Sequence, residues 1–259
     1  MISHPGHRAG TPSPRLPTAV ARCPVCARLV LGATWAHPLT MDTSAVSLGL
    51  TLVSGIAWTA VYAEAIRIGF AQRTYAMPVA ALTLNMAWEW LYALVGLSEG
   101  GGVQTAVNVV WGLADVLILV TFLRFGYAEF SPQLGRAAFW TGSMVLLGAS
   151  AAVQLLFLAE FGDRLAPVYS AFLQNLLMSG LFVAMFLSRG GPRGQSLVIA
   201  VAKWLGTLAP TLQWGLLSPS GFVLGVGLLC SVVDLAYIGL LAAARRAEPA
   251  RVTADAAAP

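Results

Sequence analysis

Asn85, Glu89 and Tyr92 stand at i, i+4 and i+7 inside an otherwise apolar stretch from Pro78 to Leu97. On a helix they share one face, so an amide, a carboxyl and a phenol form a stripe, with Trp88 and Trp90 beside it. The stretch has about the length needed to cross a bilayer's hydrocarbon core. A carboxyl at that depth is costly; it is usually buried against protein, paired, or used. The pattern recurs. Asn108, Trp111 and Asp115 (i, i+3, i+7) share a stripe in a later apolar run, and Asp234 and Tyr237 are i, i+3 neighbours in the last. Two further runs carry Tyr169, Ser170, Gln174 and Asn175, then Lys203, Trp204, Thr207 and Gln213. Polar stripes on most of the runs point to one shared interior cavity. Glu89, Asp115 and Asp234 lie near the middle of their runs, with no histidine and one lysine to meet them. Three acids cannot all be ion-paired on those terms, so some are carried as neutral acids. A neutral carboxylic acid in a dry aromatic pocket is a proton donor. Trp88, Trp111, Trp204 and their neighbours could turn π faces to a cation, worth up to about 2 kcal/mol each when desolvated. An acid, π faces and exclusion of water are what proton-initiated cyclisation of an isoprenoid chain needs: the acid protonates an epoxide or alkene and the rings shield the cations that follow.

Each of these residues also has a plainer reading. Intramembrane Asn, Gln and Ser often do no more than hydrogen-bond between helices, which covers Asn108, Asn175 and Gln213 taken singly. Trp140 and Trp214 fit interfacial belts or packing. Lys203 could neutralise one acid and make that pair structural.

The elements that must hold these residues follow from composition. The chain of 259 residues is 58% hydrophobic and 10% charged, against about a quarter charged in soluble proteins. It reads as an all-α integral membrane bundle of seven transmembrane helices, roughly Val46–Phe70, Pro78–Leu97, Val103–Phe125, Ala137–Ala159, Ala166–Leu187, Ser196–Leu217 and Gly221–Ala244. Residues 1–45 read as a disordered tail, with Met41 opening a clean Met-Asp-Thr-Ser start; residues 46–244 form the membrane domain; residues 245–259 read as a second disordered tail. Arginines gather around the first, third and fifth loops (Arg67, Arg73, Arg124, Arg136, Arg189, Arg193) and after the last run (Arg245, Arg246). The positive-inside rule then puts those loops and the C-terminus in the cytoplasm and the N-terminus outside.

Several classes are disfavoured. His4, His7 and His37 precede the first run, so histidine-ligated metal sites and histidine bases are not expected in the bilayer. The last run has no lysine for a retinal Schiff base. Cys23 and Cys26 make one CxxC without a partner pair, a weak metal or redox signal; Cys230 fits a small packed hydrophobe. The net charge of +4 belongs to membrane topology rather than nucleic-acid binding.

At Tyr75-Ala76-Met77-Pro78 with Leu84-Asn85-Met86-Ala87-Trp88-Glu89, at Tyr169-Ser170-Ala171-Phe172 through Asn175 and Met178-Ser179, and at Asp234-Leu235-Ala236-Tyr237, the chain resembles the small transmembrane terpene cyclases of meroterpenoid and indole-terpenoid pathways. The Ala-, Gly-, Leu- and Arg-rich composition points to a bacterial member. The resemblance implies an acid in the second helix and another in the last, both needed for cyclisation, and Glu89 and Asp234 fill those positions. It implies a lipophilic prenylated substrate entering from membrane lipid, no cofactor, no metal and no departing diphosphate; no protein partner is predicted.

The expectation is therefore a membrane cyclase acting on a prenylated aromatic. Glu89 would donate the proton, sharing it with Asp234 as a coupled pair. Asn85 and Tyr92 would orient Glu89, Tyr237 would support Asp234, and Asp115 would assist. Trp88, Trp111, Trp204, Tyr169 and Asn175 would line the substrate path. Two rival readings use the same residues: a proton-coupled carrier with Glu89, Asp115 and Asp234 as a relay, and an assembly subunit whose polar stripes bind partner helices.

Overall fold

A computed structural model describes residues 43–129 and 135–256, with side chains described for 44–129 and 135–247. Residues 1–42 of the expected N-terminal tail, with the start at Met41, lie outside the described residues, while 43–45, also expected in the tail, are helical. The described residues fall within one compact unit. Among the described residues every regular element is helical and no strand occurs. The α-helices are α1 (Thr43–Ala71), α2 (Val79–Ser98), α3 (Val103–Phe125), α4 (Arg136–Ser188), α5 (Leu197–Leu212) and α6 (Gly221–Ala256). A 3-10 turn, Gly126–Glu129, follows α3, and a π turn, Gln213–Leu217, ends α5.

Six helices thus stand where seven runs were expected. The difference lies in α4, a 53-residue element that contains both Ala137–Ala159 and Ala166–Leu187. In place of a loop, its helical path is broken at Gly162 (φ 69°, ψ 177°). Only glycine takes that backbone conformation without strain. Pro167, which cannot donate to a preceding turn, follows shortly after. At the other end, α6 continues to Ala256, so residues 245–256, expected as a tail, are helical. The sequence there, Ala242-Ala243-Ala244-Arg245-Arg246-Ala247, consists of good helix formers.

Among the described residues four helices are long and apolar enough to cross a membrane: Ser44–Ala71, Val103–Glu129, Arg136–Ser188 and Gly221–Ala247. Helix α5 has only 16 residues, and α2 is diluted by its own polar stripe. The burial pattern is that of a protein in lipid. Ile56 is 71% exposed while Asp115 is 0% exposed, the reverse of the soluble habit.

Packing closes the helices into a ring. Helix α1 packs on α3 and α5, α2 on α3 and α4, and α6 on α4 and α5. Close approaches depend on missing side chains, as is common between membrane helices. A Cβ on Gly206 of α5 would sit 2.8 Å from the indole of Trp58 on α1. A Cβ on Gly227 of α6 would meet Thr211 of α5 at 2.2 Å. One apolar cluster includes Trp58, Tyr62, Ile118, Met178, Phe182 and Tyr237, so α1, α3, α4 and α6 share a core.

Gly206→Ala is expected to overpack the α1–α5 contact and to destabilise the bundle by about 1–3 kcal/mol. Thermal unfolding of the purified variant, followed by tryptophan fluorescence, checks this. An unchanged or raised midpoint would mean that the contact is not tight.

Candidate active site

The polar stripes meet in two networks, built around different acids. The first joins α1, α2, α3 and α4. Tyr62 on α1 donates its hydroxyl proton to Glu89 Oε1 at 3.4 Å. Asn85, one turn before Glu89, donates from Nδ2 to the Tyr62 hydroxyl at 2.6 Å and to Asp115 Oδ2 at 2.9 Å. Gln174 donates to Asn85 Oδ1 at 3.4 Å, and Gln154 donates to Gln174 Oε1 at 2.9 Å. Gln154 and Gln174 lie on opposite sides of the Gly162 break, so both halves of α4 reach the network. Glu89 Oε2 and Asp115 Oδ1 are buried without a hydrogen-bond partner.

Aromatic rings wall this network. The rings of Tyr62 and Trp111 are 5.6 Å apart, and those of Tyr62 and Trp58 are 6.5 Å apart. Trp111 donates to Thr59 Oγ1 at 3.3 Å. Trp88 donates to the Pro167 carbonyl at 3.0 Å and packs on Tyr92, centroids 5.1 Å apart. The proline that follows the α4 break therefore helps to place an aromatic wall.

The second network joins α4, α5 and α6. Lys203 Nζ donates to both Asp234 oxygens, each at 2.9 Å, and to Ser179 Oγ at 2.7 Å. An ammonium in hydrocarbon needs a carboxylate close by, and Asp234 is the acid that supplies it. The expected Glu89–Asp234 pair is therefore not formed: Asp234 is committed to Lys203, and Glu89 bonds to Tyr62. The hydroxyl of Tyr237 does not serve Asp234 either; it donates to Gln195 Oε1 at 2.5 Å. Tyr169 stacks edge-on with Phe161 and tilted on Phe222, 4.8 Å between centroids, away from both acids' hydrogen bonds.

One helical turn from the ion pair lies a further polar layer. Helices α5 and α6 run antiparallel across a short turn. Thr207, a turn after Lys203, and Ser231, a turn before Asp234, stand at one level, between the ion pair and the Thr211–Gly227 contact. Asn175, a turn before Ser179, belongs to the same level. Thr207 Oγ1, Ser231 Oγ and Asn175 Oδ1 are all buried without a hydrogen-bond partner, as is Trp204 Nε1. Neither of two clefts seen among the described residues is lined by Glu89 or Asp234. One, of about 280 Å³, is apolar and lies between α2, α3 and α4; the other, of about 440 Å³, lies among the arginine-bearing loops. The expected single interior cavity is not among these two clefts.

Tyr62, Gln154 and Ser179 were not among the predicted site residues. Tyr62 read as one more membrane aromatic, though its place a turn after Trp58 put the two rings on one face. Gln154 is the one long amide in its run, and that isolation was the available signal. Glu64 on α1 pairs with Arg67 at 2.6 Å and accepts from Ser196 at 2.9 Å, outside both networks. Among the described residues no cluster of three His, Cys, Asp or Glu side chains could hold a metal ion.

A helical membrane bundle with buried acids among aromatic walls has the parts that proton-initiated cyclisation requires. Residues 33–216 match the model of the Pyr4-like transmembrane terpene cyclases, and the chain belongs to that family. It is an enzyme of the terpene cyclase class. It is 27% identical to terpene cyclase pyr4 of Aspergillus fumigatus over 82% of this chain and 92% of that one. It is 29% identical to the Pyr4-family terpene cyclase mfmH of Annulohypoxylon moriforme over 62% of this chain and 66% of the relative. With asnovolin H synthase nvfL of Aspergillus novofumigatus the identity is 28%, over 66% and 71%. No solved structure matches the chain. Membership in a cyclase family separates the enzyme reading from the carrier and assembly readings.

Lys203→Met would leave the Asp234 carboxylate buried and unpaired, at a cost of about 3–5 kcal/mol. Combining it with Asp234→Leu is expected to recover most of that loss, measured as unfolding midpoints in one detergent. If Lys203→Met alone unfolds like the parent chain, the ion pair is not a fixture of the fold.

Proposed function

We propose that Glu89 is the proton donor for cyclisation of a lipophilic prenylated aromatic substrate drawn from the membrane. The observation that carries this is a buried carboxyl with no cation beside it among the described residues: one oxygen accepts from Tyr62 and the other is unpartnered. A buried carboxyl without a cation is far more stable as the neutral acid, and its free oxygen is the natural seat of the transferable proton. In the step itself, the O–H bond of Glu89 breaks, and its proton goes to a terminal epoxide oxygen or alkene carbon. The new carboxylate is met at once by the Tyr62 O–H, a bond that strengthens as its acceptor becomes charged. Asn85, held between Asp115 and Gln174, keeps the Tyr62 hydroxyl aimed at Glu89 by donating to it. The substrate chain then closes rings through carbocations beside Trp88, Trp111 and Tyr62. Loss of a proton from the last cation balances the one added, so the product is an isomer of the substrate.

Asp234 acts in this reading as a carboxylate, held charged and in place by Lys203, rather than as a second acid. Trp204 Nε1, Thr207 Oγ1 and Ser231 Oγ, unpartnered in the fold, donate to oxygens of the aromatic head, and Asn175 Oδ1 accepts from a hydroxyl on it. Tyr92 and Tyr169 line the path, Tyr92 through its packing on Trp88. Tyr237 supports α6 through Gln195.

The membrane arrangement follows from the same reading. Helix α4 crosses twice, its two halves separated at Gly162, and α2 and α5 cross within the ring, giving seven crossings. The segments at residues 72–78, 126–129 and 189–196 face the cytoplasm with the end of α6, and the start of α1 faces outward. Contacts among those loops, such as Arg189 with Glu129 at 2.8 Å, support placing them on one side.

Membranes carrying Glu89→Gln should convert a linear prenylated substrate at least about a hundredfold more slowly than the parent, the scale of a lost general acid. Conversion at the parent rate would remove Glu89 from this role. Tyr62→Phe should lower the rate by about tenfold, the scale of one hydrogen bond to a developing charge, without loss of folded protein. A rate equal to the parent's would mean that Tyr62 does not stabilise the carboxylate.

A further inference from the structure

The arginine-bearing loops do more than mark an orientation. Arg189 draws them together: its Nη1 donates to the carbonyls of Tyr75 and Arg193, both at 3.1 Å. Its Nη2 donates to Thr74 Oγ1 at 3.3 Å and Glu129 Oε2 at 2.8 Å. The guanidinium lies over the Tyr75 ring, 4.3 Å from its centroid. Gly194 N–H donates to Gln72 Oε1 at 2.9 Å, and Arg245 on α6 donates to the Gln195 carbonyl at 3.4 Å. These contacts frame the cleft of about 440 Å³, whose polar lining is Gln72, Arg189, Arg193, Gln195 and Arg245.

Three guanidinium groups line that cleft and, among the described residues, no carboxylate does. Glu129 meets Arg189 at 2.8 Å and Arg193 at 3.6 Å, and Glu64, paired with Arg67 at 2.6 Å, also acts on Arg245; with Arg67 and Glu64 both counted, an excess of positive charge remains. Two donors have nothing to bond. Arg189 Nε and Gln195 Nε2 are both buried without a hydrogen-bond partner. Gln195, 1% exposed, is held by Tyr237, which occupies its oxygen and leaves the amide nitrogen free. A topological cluster of arginines would need none of this: fixed geometry, a concave site and buried donors left over.

We propose that this cleft binds a net-anionic phosphate group. Guanidinium groups match phosphate oxygens in shape and charge, and the amide of Gln195 and the Nε–H of Arg189 would each donate one more bond. The site lies at the ends of the helices, where lipid head groups sit, and basic pockets between membrane helices bind such heads. A phosphodiester of an anionic lipid and a free phosphate share this chemistry. The proposal is independent of the cyclisation reading and concerns a different end of the bundle.

The full-length chain in neutral detergent would be titrated with dihexanoyl phosphatidylglycerol, with dihexanoyl phosphatidylcholine, and with sodium phosphate against sodium chloride of equal ionic strength. Binding would be followed by tryptophan fluorescence. Saturable binding of phosphatidylglycerol with none of phosphate identifies a lipid head; the converse identifies a free phosphate. Either source should bind about tenfold more weakly to Arg193→Gln/Arg245→Gln, while Arg124→Gln, outside the cleft, binds as the parent does. Should the double variant fail to fold, Arg193→Gln alone serves, since that side chain is 61% exposed; it should still weaken binding several-fold. Binding of neither anion, equal binding of phosphatidylcholine, or affinity unchanged by the cleft substitutions would overturn the proposal.

Discussion

The interior of this bundle holds one ammonium group, and its choice of partner decides the rest. Lys203 gives two hydrogen bonds to Asp234. That leaves Glu89 and Asp115 with neutral partners only: a phenol for one and an amide for the other. In water such an allocation would matter little. Between helices in hydrocarbon, an unpaired charge costs several kcal/mol, so the acids without a cation are the ones that keep protons. Two acids set in similar helices are thereby given different chemistry by a single lysine on a third helix.

The fold is arranged to deliver these partners. The ring of helices places α1 against both α3 and α5, so that Tyr62 can stand beside Glu89 and Trp111. The break at Gly162 lets one continuous element present Gln154 from its first half and Gln174 from its second to the same network. A straight helix would carry those residues 20 positions apart, about 30 Å along one axis. The proline beyond the break offers its carbonyl to Trp88, so the irregularity is tied to the wall of the site.

Much of the site was legible in the sequence because a membrane makes polar residues conspicuous. Asn85, Glu89 and Asp115 announced themselves by their cost, and helical spacing placed Asn85 and Glu89 on one face. Their actual connection was not legible. It passes through Tyr62, and nothing in spacing along α2 or α3 says which residue of α1 will meet them. The same limit explains Asp234. Sequence could show that Lys203 would need an acid, but three acids qualified, and only the packing of α5 on α6 chose among them. The junction of the fourth and fifth runs is a different case. Glu160, Asp163 and Arg164 look like a loop, yet a single glycine was enough to interrupt the helix there.

The central claim is that Glu89, without a cation, carries the proton that starts the reaction, while Asp234 is charged. Infrared difference spectra of the purified chain near neutral pH, compared with those of Glu89→Gln and Asp234→Asn, test it most directly. The carbonyl stretch of a neutral carboxylic acid should be present in the parent, should lose intensity in Glu89→Gln, and should persist in Asp234→Asn. A spectrum in which that band is untouched by Glu89→Gln but vanishes in Asp234→Asn would contradict the account.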